Sequence, residues 1–464
     1  MRNVVGTGAL LLVLALAATA PGTPDAGANL DGVWRTDGYG TVLAVDGRGL
    51  QEYQTTAVSC LKGDFSGAAA KQGTYDSDDG DVLTLRPAPD GRRAQLSDDS
   101  SVGYRRLQRI GSLPAACTHP PSTGRLPSSD PRASFDVFWQ SFEENYPFFA
   151  AKGIDWRAVR NHYRPLVHRD TTRSELFDIF SHMITPLHDA HVLVQDGNRH
   201  YGVGRPGTDV PGPELDAKVK KFVIDRDLKE ATDRQDFADG LITFADLGNG
   251  LGYLRISDFD GYDPDDDAYS ADLTALGRAL DAVLTPVRAR TMQGLIIDLR
   301  INGGGSDALG IHIAERLTDV PYVAYSKRAR NNPADPNRHT RPEPIQVVPA
   351  RGPLYTGPVA LLTSGSTISA GETFTQALID RPGRTVRIGQ PTQGVFSDIL
   401  VRYLPNGMSA WLPNEEFLTR TGRTFDGTGI PPEITEPVFT TEEFTKNRDS
   451  AFDRAVALLR PATP

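Results

Sequence analysis

The sequence predicts an α/β protein whose core follows a helical segment and a small all-β domain, and three observations predict it. Residues 294–299 (Gly-Leu-Ile-Ile-Asp-Leu) and 358–362 (Pro-Val-Ala-Leu-Leu) are short, mostly apolar runs, the pattern of strands buried on both faces. Each precedes a stretch of helical periodicity, near 308–317 and 369–379. Residues 30–109 instead break into short extended runs such as 41–45 and 82–85. Asp-Gly turn pairs at 31, 37, 46, 79 and 90 separate them, as in an antiparallel β domain.

Taken in order, the chain opens with Arg2 and an apolar run over 8–20, with no acidic residue before Asp25. That is the pattern of a secretory signal peptide, and the run falls short of the ~20 apolar residues a spanning helix needs. Ala18-Thr19-Ala20 and Ala26-Gly27-Ala28 both suit cleavage, and Pro21 disfavours the first, so 1–28 is the expected signal peptide. The expected location is outside the cytoplasm, secreted or in the cell envelope or periplasm, with no stable membrane anchor.

The β-rich accessory domain is expected over 29–118. Cys60 and Cys117 are the chain's two cysteines, and in an exported protein an even count favours one disulfide between them. A Pro- and Ser-rich linker spans 119–131. Phe135, Phe138, Trp139, Phe142 and Tyr146 then recur at helical spacing, with Ser134 near the start, and open a helical part over 132–195. Further helices are expected over 156–166 and 174–184. A connecting segment, 196–245, is polar and charged over 199–239, and the α/β core runs over 246–464. It begins with the strand 252–256 and the Leu273/Leu276/Leu280/Val283 helical stripe, and it closes with an amphipathic helix over 449–459. Asp plus Glu is 59 against 49 for Lys plus Arg, a net charge of -10, the wrong sign for a nucleic-acid partner.

Three segments carry residues that packing does not require. Residues 296–305 run a buried strand into Gly303-Gly304-Gly305, a sharp turn that presents unhindered N–H groups to an oxyanion or a phosphate. Residues 359–372 place Thr367 and Ser369 at a strand-to-helix junction, where free N–H groups and the helix dipole stabilise negative charge. A side-chain N-cap is the plainer reading of either residue. The spacing is not Gly-x-Ser-x-Gly, which disfavours an α/β-hydrolase elbow. Residues 187–194 hold His188 and His191, and His191 suits a general base. Two His and one Asp make a thin zinc site, so no metal is expected.

Together these segments resemble the tail-specific (C-terminal processing) serine peptidases and their tricorn-type and interphotoreceptor-retinoid-binding-like relatives. The resemblance spans roughly Phe135 to Leu459 and rests on five motifs in order: Asp-Ala-His at 189–191; 298–305; Thr-Ile-Ser-Ala-Gly-Glu at 367–372; Ile-Gly-Gln-Pro-Thr-Gln-Gly at 388–394; and Phe-Asp-Gly-Thr-Gly-Ile-Pro-Pro at 425–432. It implies a ClpP/crotonase-like β-β-α spiral core and a polypeptide substrate. Val395 stands where the Ser/Lys type has its lysine, so the tricorn arrangement is implied: nucleophile Ser369, general base His191 and acid Asp426. Ala370 and Gly303 or Gly304 are the implied oxyanion donors.

Two departures are Ala190, in place of the tricorn-type serine, and Asp426, in place of the usual glutamate. Too few residues separate Val194 from Gly252 for the PDZ domain of tail-specific members, so C-terminal specificity is not expected. The implied function is a secreted serine endopeptidase that needs no cofactor. A non-catalytic module binding apolar ligands or peptides on the same fold is the alternative. A homo-oligomer is left open, since no stripe marks an interface.

Overall fold

The computed structural model describes residues 30–71, 73–76, 82–118 and 129–460. The expected signal peptide and most of the expected linker lie outside the described residues.

Eight antiparallel strands, Gly32–Thr36, Thr41–Asp46, Gly49–Thr55, Cys60–Lys71, Thr74–Asp76, Val82–Pro87, Arg93–Asp98 and Arg105–Ile110, close into a barrel. The first pairs with the last, Val33 opposite Ile110, which removes both free sheet edges. Alternation along each strand turns Trp34, Leu43, Leu50, Leu85, Leu96 and Leu107 inward, and they fill the interior. The Cys60–Cys117 disulfide ties the fourth strand to the short helix Ala115–Thr118. It closes a 57-residue separation, for which chain entropy gives about 4 kcal/mol of stabilisation.

The aromatic stripe forms the helix Pro131–Asn145, capped by the Asp130 side chain on Arg132 N. Phe135, Phe138, Phe142 and Tyr146 are buried against Phe180 and Trp156, and Phe138 stacks on Phe180 with ring centroids 4.0 Å apart. Trp139 is only half-buried and spends its indole N–H on Trp156 O. Helices Trp156–Tyr163 and Arg173–Ile184 complete this layer, the latter opened by a Thr172/Glu175 capping box. The connecting segment holds more regular structure than its polarity suggests: a strand Arg199–Val203, a helix Pro213–Arg226 and a strand Thr232–Phe237. The helix buries only Val219 and Val223, so its apolar signal is sparse among lysines and aspartates.

The core is a seven-stranded sheet in the order Thr232–Phe237, Ile242–Asp246, Leu251–Ile256, Gly294–Asp298, Val359–Thr363, Thr385–Gly389 and Ile434–Thr435. It is parallel from Leu251–Ile256 onward. Every residue of Gly294–Asp298 and Val359–Thr363 is buried, which is why these strands read as apolar runs up to their polar last residues, Asp298 and Thr363. Each is the first member of a strand–strand–helix repeat. Gly294–Asp298 leads to Ile301–Asn302 and helix Asp307–Glu315, and Val359–Thr363 leads to Ser366–Thr367 and helix Ala370–Ala377. The two short strands pair in parallel, Ile301 with Ser366 and Asn302 with Thr367, so the polar ends of the two repeats meet.

Beneath that meeting point Arg300 is fully buried. Its guanidinium forks onto Asp298, at 2.9 and 2.6 Å, and its remaining NH group contacts both Asp449 oxygens at 2.6 and 2.7 Å. Asp449 also caps the closing helix, Ser450–Leu459, by accepting from Phe452 N. The Asp298-Leu299-Arg300 motif therefore fastens the C-terminal helix to the central strand.

Candidate active site

Ser369 links the strand Ser366–Thr367 to the helix Ala370–Ala377 with φ 56° and ψ −121°. A non-glycine residue held there carries of order 1–3 kcal/mol of strain and needs neighbours that enforce it. Ser369 N donates to Val395 O at 3.1 Å, and Ile368 N to Asn302 O at 3.1 Å, so the turn is pinned on both sides. The serine makes no side-chain cap bond. Thr367 is committed elsewhere, donating to Leu299 O and accepting from Ser364 N. This is a sharp, strained strand-to-helix turn with a free serine hydroxyl at its apex, reached without the Gly-x-Ser-x-Gly spacing.

Gly304 packs against Ser369. A Cβ there would lie 2.6 Å from the Ser369 Cβ, and its φ of +94° suits glycine. The amides of the glycine turn differ from expectation. Gly303 N donates to Ser257 O at 3.0 Å and Gly304 N to Asn302 Oδ1 at 3.1 Å, because the turn is braced against the neighbouring strand and by its own asparagine. Both expected donors are thus engaged. Ala370 N sits at the first position of its helix, where no intrahelical acceptor exists, beside the positive end of the helix dipole.

His191 lies on the strand Asp189–Asp196 and is 5% exposed, too little for a surface histidine. Its backbone N donates to Asp189 Oδ1 at 3.1 Å, while Asp189 Oδ2 accepts from Tyr146 OH at 2.7 Å, so Asp189 anchors the turn into the strand. Burial lowers the imidazole below its usual value, opposed by the charges of Asp189 and Asp398 and by the backbone of Ser397. His188 is exposed in a left-handed conformation. Among the described residues no group of three or more His, Cys, Asp or Glu is arranged to hold a metal.

No hydrogen bond joins His191 to Asp426, the acid the resemblance implies: His191 Nδ1 is buried without a hydrogen-bond partner among the described residues. Asp426 instead accepts from Thr424 Oγ1 and, at 3.4 Å, from Phe396 N. Burial raises its carboxyl well above the ordinary range. An aspartate is one methylene shorter than glutamate, and Thr424, two residues upstream, intercepts it.

What gathers these residues is the strip 394–398, whose last three residues the sequence did not single out. Gly394 and Val395 amides donate to the Glu372 carboxyl at 2.7 and 2.8 Å, and Val395 O receives Ser369 N. Phe396 N meets Asp426, Ser397 faces His191, and Asp398 adds its charge to His191. Glu372 is fully buried, and desolvation pushes its carboxyl up to about 8 against the hydrogen bonds it accepts. Gly394 ends a motif and Val395 occupies the position of the missing lysine, whereas Phe396, Ser397 and Asp398 carry no local pattern.

The family model "Peptidase family S41" matches residues 250–436, and the "Tricorn protease C1 domain" model matches residues 127–185. Among solved structures, a putative peptidase from Parabacteroides merdae ATCC 43184 is 24% identical with a TM-score of 0.60, over 72% of this chain and 97% of that one. Mature CPAF complexed with lactacystin is 12% identical with a TM-score of 0.50, over 72% and 98%. The tricorn protease aligns over 90% of this chain and 46% of its own at 16% identity and a TM-score of 0.42. The first two likenesses are of fold. Among curated proteins none matches the chain.

Proposed function

We propose that this chain, a serine-type peptidase whose residues 250–436 belong to peptidase family S41, cuts polypeptides through an acyl-enzyme on Ser369 with His191 as general base. The observation that carries this reading is the strained Ser369 turn at a helix N-terminus, walled by Gly304 and joined through 394–398 to a buried, depressed histidine. His191 takes the Ser369 Oγ proton as the oxygen attacks the scissile carbonyl carbon. The oxyanion develops against Ala370 N–H, a donor of a kind worth about 3 to 4 kcal/mol in the transition state. Collapse expels the amine, which receives the proton from His191, and water activated by the same imidazole releases the acyl group.

The carboxylate placed to favour the imidazolium is Asp189, whose charge is the leading one acting on His191. Asp426, the implied third member, is assigned the support of Phe396 in the strip that touches both reacting groups. Gly303 and Gly304 are assigned the wall beside the serine rather than the oxyanion hole.

The two strand–strand–helix repeats support a ClpP/crotonase-like spiral as the core, and the N-terminal apolar run supports export of the mature chain. The test is casein hydrolysis by the mature chain beside Ser369→Ala and His191→Ala, with labelling by a serine-directed phosphonate. Hydrolysis and labelling by the wild type, both lost in the variants, are expected. A folded wild type that neither cleaves nor labels would overturn the reading in favour of a binding module.

A further inference from the structure

The β-barrel touches the peptidase core at a place that matters for chemistry. The loop between its last two strands, Arg93–Asp98 and Arg105–Ile110, inserts into the core, with Val102 buried among the core's apolar residues. Two consecutive serines on this loop grip both sides of the candidate site. Ser100 O accepts from Ser306 Oγ, and Ser306 follows Gly305 and caps the helix Asp307–Glu315. Ser101 Oγ donates to Asp398 Oδ2 at 2.7 Å, and Asp398 adjoins Ser397, which faces His191. We propose that the barrel is a built part of the catalytic site and that Ser101 is a positioning residue, holding the Asp398 carboxylate at the strip that faces His191.

The surrounding charges support that role. Lys327 Nζ stands 3.4 Å from Asp398 Oδ2 and 3.4 Å from Glu415 Oε1, and Tyr39 of the barrel donates to the same Glu415 oxygen at 2.6 Å. Burial opposes ionisation of Asp398, yet Lys327, the Ser101 hydroxyl and Arg105 hold its carboxyl below the ordinary range. Three of the groups in this cluster, Tyr39, Ser101 and Arg105, come from the barrel. Asp307, Glu415, Glu343 and Glu52 are the other acids that face this cluster. On the far side His191 meets Asp189 of its own strand. A negative Asp398 raises the proton affinity of His191, and Ser101 keeps that charge in place. Without it the imidazole holds its proton less tightly.

This inference rests on His191 being the base, so its test reads the histidine directly as well as turnover. The ring titration of His191 is followed by NMR in the full mature chain, assigned by comparison with His191→Ala. The variants are Ser101→Ala, Ser101→Thr and Asp398→Asn, each with its thermal midpoint and its kcat and KM on a casein-derived peptide. Asp398→Asn is expected to lower the His191 midpoint. Ser101→Ala is expected to lower it in the same direction by less and to cut kcat several-fold at unchanged KM, and Ser101→Thr is expected to restore both. A His191 midpoint in Ser101→Ala equal to wild type overturns the proposal, including when only the thermal midpoint falls. Failure of the peptidase reading is recognised separately, by a wild type that neither cleaves nor labels while its His191 titration still responds to Ser101.

Discussion

Gly304 and Ser369 stand so close that a Cβ on the glycine would lie 2.6 Å from the Cβ of the serine. The contact lies between rigid backbones, since Gly304 N is held by Asn302 and Ser369 N by Val395. Gly304→Ala must therefore push the serine out of place or unwind the turn. A displacement of about 1 Å at a reacting group costs roughly 100-fold in rate. The expected outcome is a loss of kcat/KM of that order in a protein whose far-ultraviolet circular dichroism is unchanged. Full activity in the alanine variant would contradict the packing described here.

Ser369 holds backbone strain that its neighbours enforce. Replacing it by glycine removes the nucleophile and also the Cβ that disfavours φ 56°. Ser369→Gly is expected to be inactive yet about 1 kcal/mol more stable than Ser369→Ala, which keeps the strained Cβ. Urea denaturation of the two inactive variants checks this, and an alanine variant at least as stable as the glycine one would mean that the turn is relaxed.

Burial lowers the proton affinity of His191 below the ordinary histidine value of 6.5. A general base works when neutral, so the acidic limb of kcat/KM should reach half-height below pH 6.5. The linkage has the matching sign: as pH falls through 6.5, the unfolded chain takes up a proton at this position before the folded one does, and stability falls with it. A kcat/KM profile measured from pH 4 to 8 decides the matter. A limb at or above 6.5 would remove the case for a desolvated base.

Much of this arrangement was legible from residues whose types announce backbone events. Gly303 to Gly305 marked the turn, the mostly apolar runs marked the two buried strands, and Cys60 and Cys117 marked a cross-link that the structure contains. The N-cap alternative for Ser369 could not be settled in advance, because a serine before a helix looks the same whether its hydroxyl caps the helix or faces a cleft. The supporting groups were hidden for a different reason. Asp398, Glu372 and Ser101 act through long-range contacts, and the last reaches its partner across 297 residues, so no local pattern records it. The bracing of Gly303 and Gly304 by Ser257 and Asn302 is likewise a tertiary event, and it redirects two amides that the glycine triplet alone offered to an oxyanion.

The Arg300 to Asp449 pair yields a prediction about stability that separates charge from capping. Asp449 is 1% exposed, binds Arg300 through both oxygens and caps the closing helix at Phe452 N with a 2.9 Å bond. Asp449→Ala removes the charge and the cap together and leaves part of the Arg300 guanidinium buried without its partner. Breaking one side of a buried pair costs about 3–5 kcal/mol, and loss of a cap costs about 1 kcal/mol more. Asp449→Asn keeps a good capping residue and removes only the charge, so it should recover roughly the capping increment and no more. Because Arg300 also accepts a hydrogen bond from Ser364 at its backbone oxygen, loosening this lock should reach the Ser369 turn and lower activity as well as stability. Urea denaturation of both variants, with kcat/KM measured on each, tests the chain of contacts. If both unfold within about 1 kcal/mol of the wild type, a cost typical of losing the cap alone, Arg300 is adequately balanced by Asp298 and the C-terminal helix is fastened by apolar packing instead.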